Sequence, residues 1–212
     1  TNGSITTSYA RGVYGKNNNS LSLNHRTRKL NLYSTYSNAF RNGFNDLNLN
    51  RNFYDGQGIF TGAYDQNNKI DIKTRNHTLR AGADYYPSEK HTLGIVVSTS
   101  DNRNKPENSN VSKVFDADGN YTSRFETKSN SKDDLDNYSV NLNHRFVLDT
   151  LGSTLTSDAD YANYKNRANQ NFTVRNYDTG TTETTDPFIL FGDINGNLDI
   201  IAAKSDFKTT LP

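Results

Sequence analysis

The feature that most constrains this chain is a two-residue alternation across residues 79–100, LRAGADYYPSEKHTLGIVVSTS. In its first arm Leu79, Ala81, Ala83 and Tyr85 share one face, while Arg80, Gly82, Asp84 and Tyr86 share the other. In its second arm Leu93, Ile95, Val97 and Thr99 oppose Thr92, Gly94, Val96 and Ser98. Successive side chains of a strand point to opposite faces, so this period predicts two strands. Pro87-Ser88 between them predicts the turn, because proline has a fixed φ and no N–H to give to a ladder. Apolar and small residues on one side, with Arg and Asp on the other, suit a wall between a greasy medium and water.

Composition supports a wall over a thick core. Only 32% of the 212 residues are hydrophobic, a level that ordinarily points to disorder. Here 13 Tyr and 11 Phe accompany clear alternation, so the chain has the means to form strands. A transmembrane barrel reconciles these facts, since its wall is one residue thick and its lumen is wet. No apolar run approaches the roughly 20 residues of a membrane helix. The net charge of +1 carries no nucleic-acid footprint. With no cysteine, disulfides, thiolate metal sites and thiol nucleophiles are excluded.

In chain order, strands are expected at residues 4–10, 20–26 and 30–40, separated by turns at 11–19 and 27–29. A long polar segment, residues 41–68, precedes a short strand pattern at 69–73 that runs into the opening hairpin. A second, residues 101–137, contains VSKVFDADGNYTSRFE, whose Asp118-Gly119 has the chemistry of a tight turn. Residues 138–146 and 153–164 alternate again. A third polar region, residues 165–197, contains expected turns at Asp178-Thr179-Gly180 and Asn195-Gly196, before a last strand at 198–211. The expected fold is all-β: an antiparallel up-and-down transmembrane β-barrel wall of about eight strands, one partial barrel domain over residues 1–212. Its long loops are expected at about 41–68, 101–137 and 165–197. Short connections near residues 27, 88 and 150 alternate with long ones, the plan of a membrane barrel. SLSLNHR (residues 20–26) recurs as SVNLNHR (residues 139–145), each just before a short turn.

The stretches SITTSYARGVYGKNNNSLSLNHRTRKLNLYSTYSNAF, LRAGADYYPSEKHTLGIVVSTSDN and DDLDNYSVNLNHRF resemble the barrel of TonB-dependent outer-membrane receptors. The closest likeness is to the branch described as the outer membrane β-barrel protein family. The resemblance implies a barrel of about 22 strands around a plug. On that pattern this chain supplies the N-terminal third of the barrel, without the plug, and ends on Leu211-Pro212 where such barrels end on an aromatic residue. It further implies nutrient uptake across the outer membrane of a Gram-negative bacterium. The partners implied are outer-membrane lipid, a plug and TonB complex acting through other parts of the chain, and a surface lipoprotein. No nucleic acid is expected. The competing reading is a soluble secreted β-sandwich that binds carbohydrate or serves adhesion.

Little in the sequence resembles catalysis, and no enzymatic role or cofactor is expected. Asp116, Asp118 and Glu126 miss the offsets of a calcium loop and read better as an Asp-Gly hairpin turn. Asp133, Asp134 and Asp136 read as a solvated strand entry. Asp158 and Asp160 read as a hydrated pair, facing Arg80 or Arg145. His25, His77, His91 and His144 stand apart, with no second ligand at metal spacing. The ligand-contact candidates are Phe53, Tyr54, Phe60 and Tyr64, aromatic rings among Asn and Gln that can stack on a sugar or pack on a peptide.

Overall fold

A computed structural model describes residues 1–209. Its elements are β1 (Asn2–Arg11), β2 (Gly15–Arg26), β3 (Leu30–Tyr54), β4 (Phe60–Ser88), β5 (His91–Phe115), β6 (Tyr121–Val147), β7 (Thr154–Tyr177) and β8 (Phe188–Lys208). All eight lie in one sheet in chain order, each antiparallel to the next. The sheet is open: β1 and β8 are its edges and do not pair. The backbone of each strand lies beside those of its sequence neighbours alone, so no second layer covers either face of the described residues. Among them no apolar side chain is buried.

The up-and-down order follows the expectation, and the loops do not. Residues 41–68, 101–137 and 165–197 are mostly strand, not loop. β3 and β4 pair from Leu30↔Tyr85 as far as Phe53↔Gly62 in one ladder, and β5, β6 and β7 continue in the same way. The alternation is hidden there because both faces carry Asn, Ser, Lys and Asp, leaving no apolar side to mark the period. Backbone pairing needs no such mark once a neighbouring strand is in register. Asn17, Asn18 and Asn19, expected in a turn, pair within β2 against β1, and the real connection is residues 12–14. Asn195-Gly196 likewise lies inside β8, opposite Arg167 and Asn166. The last strand starts ten residues earlier than expected, at Phe188 instead of 198, and residues 210–211 of that expectation lie outside the described residues. Pro87 sits one step before the turn, at a register shift between Tyr85 and Ser88, where a missing N–H costs no ladder bond.

The β3–β4, β5–β6 and β6–β7 hairpins close on a shared device. Asp55, Asp116 and Asp149 each accept two backbone N–H bonds through Oδ1, from the residues two and four positions on, at 2.8–3.0 Å. Gly58, Gly119 and Gly152 follow three positions after the Asp with φ of 82°, 80° and 95°, a conformation that disfavours a side chain. This is a type I turn with a left-handed glycine, common in longer hairpin loops. Asp178 makes the same carboxylate bonds to Gly180 and Thr182.

Register gives β2 to β7 two chemically distinct faces over their lower halves, while β8 carries aliphatic residues on both, Ile201 and Ala203 on one and Ile200 and Ala202 on the other. On one, Leu21 and Leu23 of β2 lie beside Tyr36 and Ser34 of β3, then Leu79 and Ala81 of β4. The row continues through Ile95 and Val97 of β5, and Leu142 and Val140 of β6. Tyr161 pairs with Ile201 at the far side. Ile95 and Leu142 stay 41% and 53% exposed although both lie well inside the sheet. The other face carries Asn24, Asn31 and Asp84 in one hydrogen-bonded row, and Asn141 donating to Asp160 at 2.7 Å in another.

Candidate functional site

Aromatic rings border the apolar band at both ends. At the lower end His91 stacks on Phe146 at 4.4 Å between centroids and on His144 at 5.3 Å, with Nδ1 and Nε2 of the two imidazoles 3.1 Å apart. At the upper end Tyr36 stacks on His77 at 6.1 Å, Phe40 meets the same imidazole edge-on, and Tyr138 lies 5.7 Å from Tyr161. Tyr138 and Phe146 are eight residues apart on β6, about 26 Å along a strand at roughly 3.3 Å per residue. Of the four histidines, expected to stand apart, His91 and His144 are thus brought together as stacked rings in a rim.

The four ligand-contact candidates divide between the faces. Phe53 and Tyr64 stand on the polar face and meet edge-on at 4.9 Å, while Tyr54 and Phe60 pair at 5.9 Å on the opposite face. Phe125 of β6 joins the first pair, 6.0 Å from Tyr64, and the Arg51 guanidinium lies 5.4 Å from the Phe53 ring. Gly62, opposite Phe53 in register, has φ of 153° and sits against the Phe115 carbonyl, where a Cβ would come within 2.6 Å of the oxygen. Beside the rings runs a polar chain: Gln66 Nε2 donates to Ser112 Oγ at 2.9 Å, and Ser112 donates to Asn110 Oδ1 at 2.7 Å. Ser112 is fully buried, so this chain is a fixed support. Half-buried aromatic edges over anchored amides can stack on an apolar sugar face or peptide side chain and orient its polar groups.

Phe125, Gln66 and Ser112 were not singled out by sequence. The signal was present in VSKVFDADGNYTSRFE: once Asp116 to Asn120 is a hairpin tip, Phe125 falls opposite Ser112 and the neighbouring ladder brings Tyr64 alongside.

The acidic candidates serve other ends. The Asp116 carboxylate is occupied by the N–H groups of its own turn, which hold it below the usual carboxylate range, Asn120 contributing most. Asp134 and Asp136 are not solvated strand entries: they surround Arg103, with Asp136 at 2.8 Å and Asp134 at 3.6 Å, and Arg167 reaches Asp136 at 2.9 Å. Asp158 faces Lys204 at 3.8 Å, its register partner on β8, instead of Arg80 or Arg145. Among the described residues no three His, Cys, Asp or Glu side chains gather as metal ligands would. No family model matches the chain, and none of the curated proteins does.

Proposed function

We propose that this chain is part of the wall of an outer-membrane β-barrel of the TonB-dependent receptor type, working in the uptake of a nutrient ligand. The observation that carries this reading is the exposed apolar band, rimmed above and below by aromatic rings, backed by a hydrated face. Membrane barrels carry such a band, about 25 Å tall, between aromatic girdles, and at their ~40° tilt the ~26 Å along β6 from Tyr138 to Phe146 rises ~20 Å, with the rings extending it at either end. A soluble sheet with the same face would cover it with a second layer. Lipid-facing backbone must be paired within the wall, so the free edges of β1 and β8 would meet further strands that close the cylinder.

In this mechanism the lower half of the sheet crosses the bilayer and the upper half stands clear of it. Strands of 21–29 residues, β3 to β8, far exceed the ~9–11 needed to span. The Phe53–Tyr64–Phe125 cluster then lies high on the lumen side, where an incoming ligand meets the wall before any plug. Capture is by stacking and amide hydrogen bonds. Lipid, a plug, the TonB complex and a surface lipoprotein are the partners that go with this reading.

Site-directed spin labels test it. Labels at Ile95 and Leu142 in vesicles are expected to be accessible to oxygen and shielded from a water-soluble nickel chelate. Labels at Ser98 and Asn141 are expected to show the reverse. Water access at Ile95 and Leu142 in folded protein would overturn the membrane assignment.

A further inference from the structure

β3 carries a free edge inside the sheet, away from the two outer strands. β2 pairs with it only from Arg26↔Asn31 to Lys16↔Arg41, because the β1–β2 hairpin turns back at residues 12–14. On its other side β4 accompanies it as far as Phe53↔Gly62. Residues 42–54 are therefore paired on one side alone, and all of them except Gly43 and Phe53 are exposed. Every second residue of such an edge turns its N–H and C=O outward, and no strand or turn bond takes these groups up among the described residues.

The notch above the β1–β2 hairpin has a fixed floor. Tyr14, in the turn, crosses β3 on the side of the apolar band. Its hydroxyl donates to Asp71 at 2.8 Å, and its ring meets Phe44 edge-on at 6.0 Å. Just below, Lys16 and Arg41 stand opposite each other on the polar face. Arg41 gives Nε and Nη2 to Asn18 Oδ1 at 3.2 and 3.0 Å, and neither cation has a carboxylate partner among the described residues. Like charges directly opposite in a ladder are destabilising, so this pair calls for an anion.

The open edge has two unlike sides. On the polar face of the sheet Leu47 and Leu49 stand 41% and 46% exposed, with Phe53 above them. On the other side lie Asp46, Asn48 and Asn50. The ten positions from Phe44 to Phe53 cover about 33 Å at roughly 3.3 Å per residue. Outward N–H and C=O groups repeated at that spacing are matched by another main chain, and a saccharide has no such repeat. A strand continuing the line of β2 runs antiparallel to β3, so its C-terminal carboxylate arrives at Lys16 and Arg41. Its alternate side chains then fall beside Leu47 and Leu49, and the ones between beside Asp46 and Asn48.

We infer that the captured ligand is an extended peptide of up to about ten residues that adds to the free edge of β3 as a strand, with its carboxylate on Lys16 and Arg41 and alternate apolar side chains against Leu47, Leu49 and Phe53. This rests on the capture site proposed above, with which it shares Phe53, and names the substrate class of that site. The test uses the full chain in phosphatidylcholine nanodiscs and an N-terminally labelled decapeptide that alternates Leu with Ser or Asn and ends in a free carboxylate. Parallel samples contain its C-terminal amide, versions N-methylated at the odd or at the even residues, and a neutral oligosaccharide of similar length.

One methylated series is expected to lose affinity by on the order of tenfold or more and the other to bind like the parent, since only one set of N–H groups faces β3. Exchange of the amides of residues 44–52 is expected to slow when the parent peptide is bound. Amidation should weaken binding by roughly two- to fivefold, and Lys16→Gln with Arg41→Gln should abolish that difference. Equal affinity of the two methylated series, or amides at 44–52 that exchange as fast with peptide bound as without, would refute the strand addition. An oligosaccharide that binds where the peptide does not, and loses affinity in Tyr64→Ala, sinks the strand addition and keeps the capture site. If nothing binds, the capture site falls too, while the labels at Ile95 and Leu142 judge the membrane wall separately.

Discussion

The Tyr33 ring lies across Gly82, its register partner on the polar face, and fills the space that a Cβ on Gly82 would take. A glycine inside a strand ordinarily weakens it, and an aromatic ring laid over the bare backbone restores the lost packing. Gly82→Ala must therefore displace the ring, at a cost of about 1–3 kcal/mol as for other overpacked sites. In a Tyr33→Ala background the same change is expected to be nearly neutral. Urea unfolding in detergent micelles, read as a double-mutant cycle, measures the coupling. Equal costs in both backgrounds would show that the ring does not depend on the glycine.

The two faces respond oppositely to charge. Ile95→Arg, in the middle of the band, is expected to cost about 2–4 kcal/mol of stability in lipid. Ser98→Arg, three residues along the same strand on the wet face, is expected to cost under ~1 kcal/mol, the usual effect at a hydrated surface. Folding into vesicles, followed by the electrophoretic shift between heated and unheated samples, reports both. Matched effects would mean that the two sides of β5 share one environment.

Where the sequence was legible, lipid-type and water-type residues alternated, and where it was not, both faces were wet. Leu79 to Tyr85 and His91 to Thr99 announced their strands because one side is greasy. The same β5 continues through Asp101, Asn102, Arg103 and Asn104 with no change in backbone pairing, yet those residues read as loop. Hydrophobic period reports burial contrast, and a ladder with solvent on both sides has none. The aromatic candidates show the related limit. Tyr54 and Phe60 are near Phe53 and Tyr64 in sequence, and only the register with its shift at Phe53/Tyr54 places the pairs on opposite faces. Phe125 belongs to the cluster through two ladders, a relation no local window contains.

The turn carboxylates make hairpin tips sensitive to acid. Hydrogen bonds from the N–H groups of Asn120 and Asp118 hold the Asp116 carboxyl below its unfolded range. A carboxyl depressed by folding contributes stability above its unfolded pKa, near 3.9, and loses it as pH falls through the depressed folded value. Amide exchange at Asn120, corrected for its intrinsic pH dependence, is thus expected to be constant above about pH 5 and to quicken below about pH 4. Asp116→Ala should remove the acid-dependent step and leave the amide unprotected at both ends. A step that survives in the variant would assign the titration to another group.

Ligand capture is expected to depend on one face of the upper hairpins alone. Phe53, Tyr64 and Phe125 share the polar face with Arg51 and the Gln66–Ser112–Asn110 chain, while Tyr54 and Phe60 share the other. A ring stacked on a ligand typically contributes about 0.5–1.5 kcal/mol beyond its area burial, so Tyr64→Ala should weaken binding by roughly three- to tenfold. Phe125→Ala should act similarly and sub-additively with it, since the two rings pack on each other 6.0 Å apart. Tyr54→Ala removes a more exposed ring from the same hairpin and should leave affinity unchanged. An array of neutral oligosaccharides and short peptides, screened on wild type and then titrated on the three variants, provides the measurement. If Tyr54→Ala weakens binding as much as Tyr64→Ala, the ligand sits over the hairpin tip and not against the polar face of the sheet.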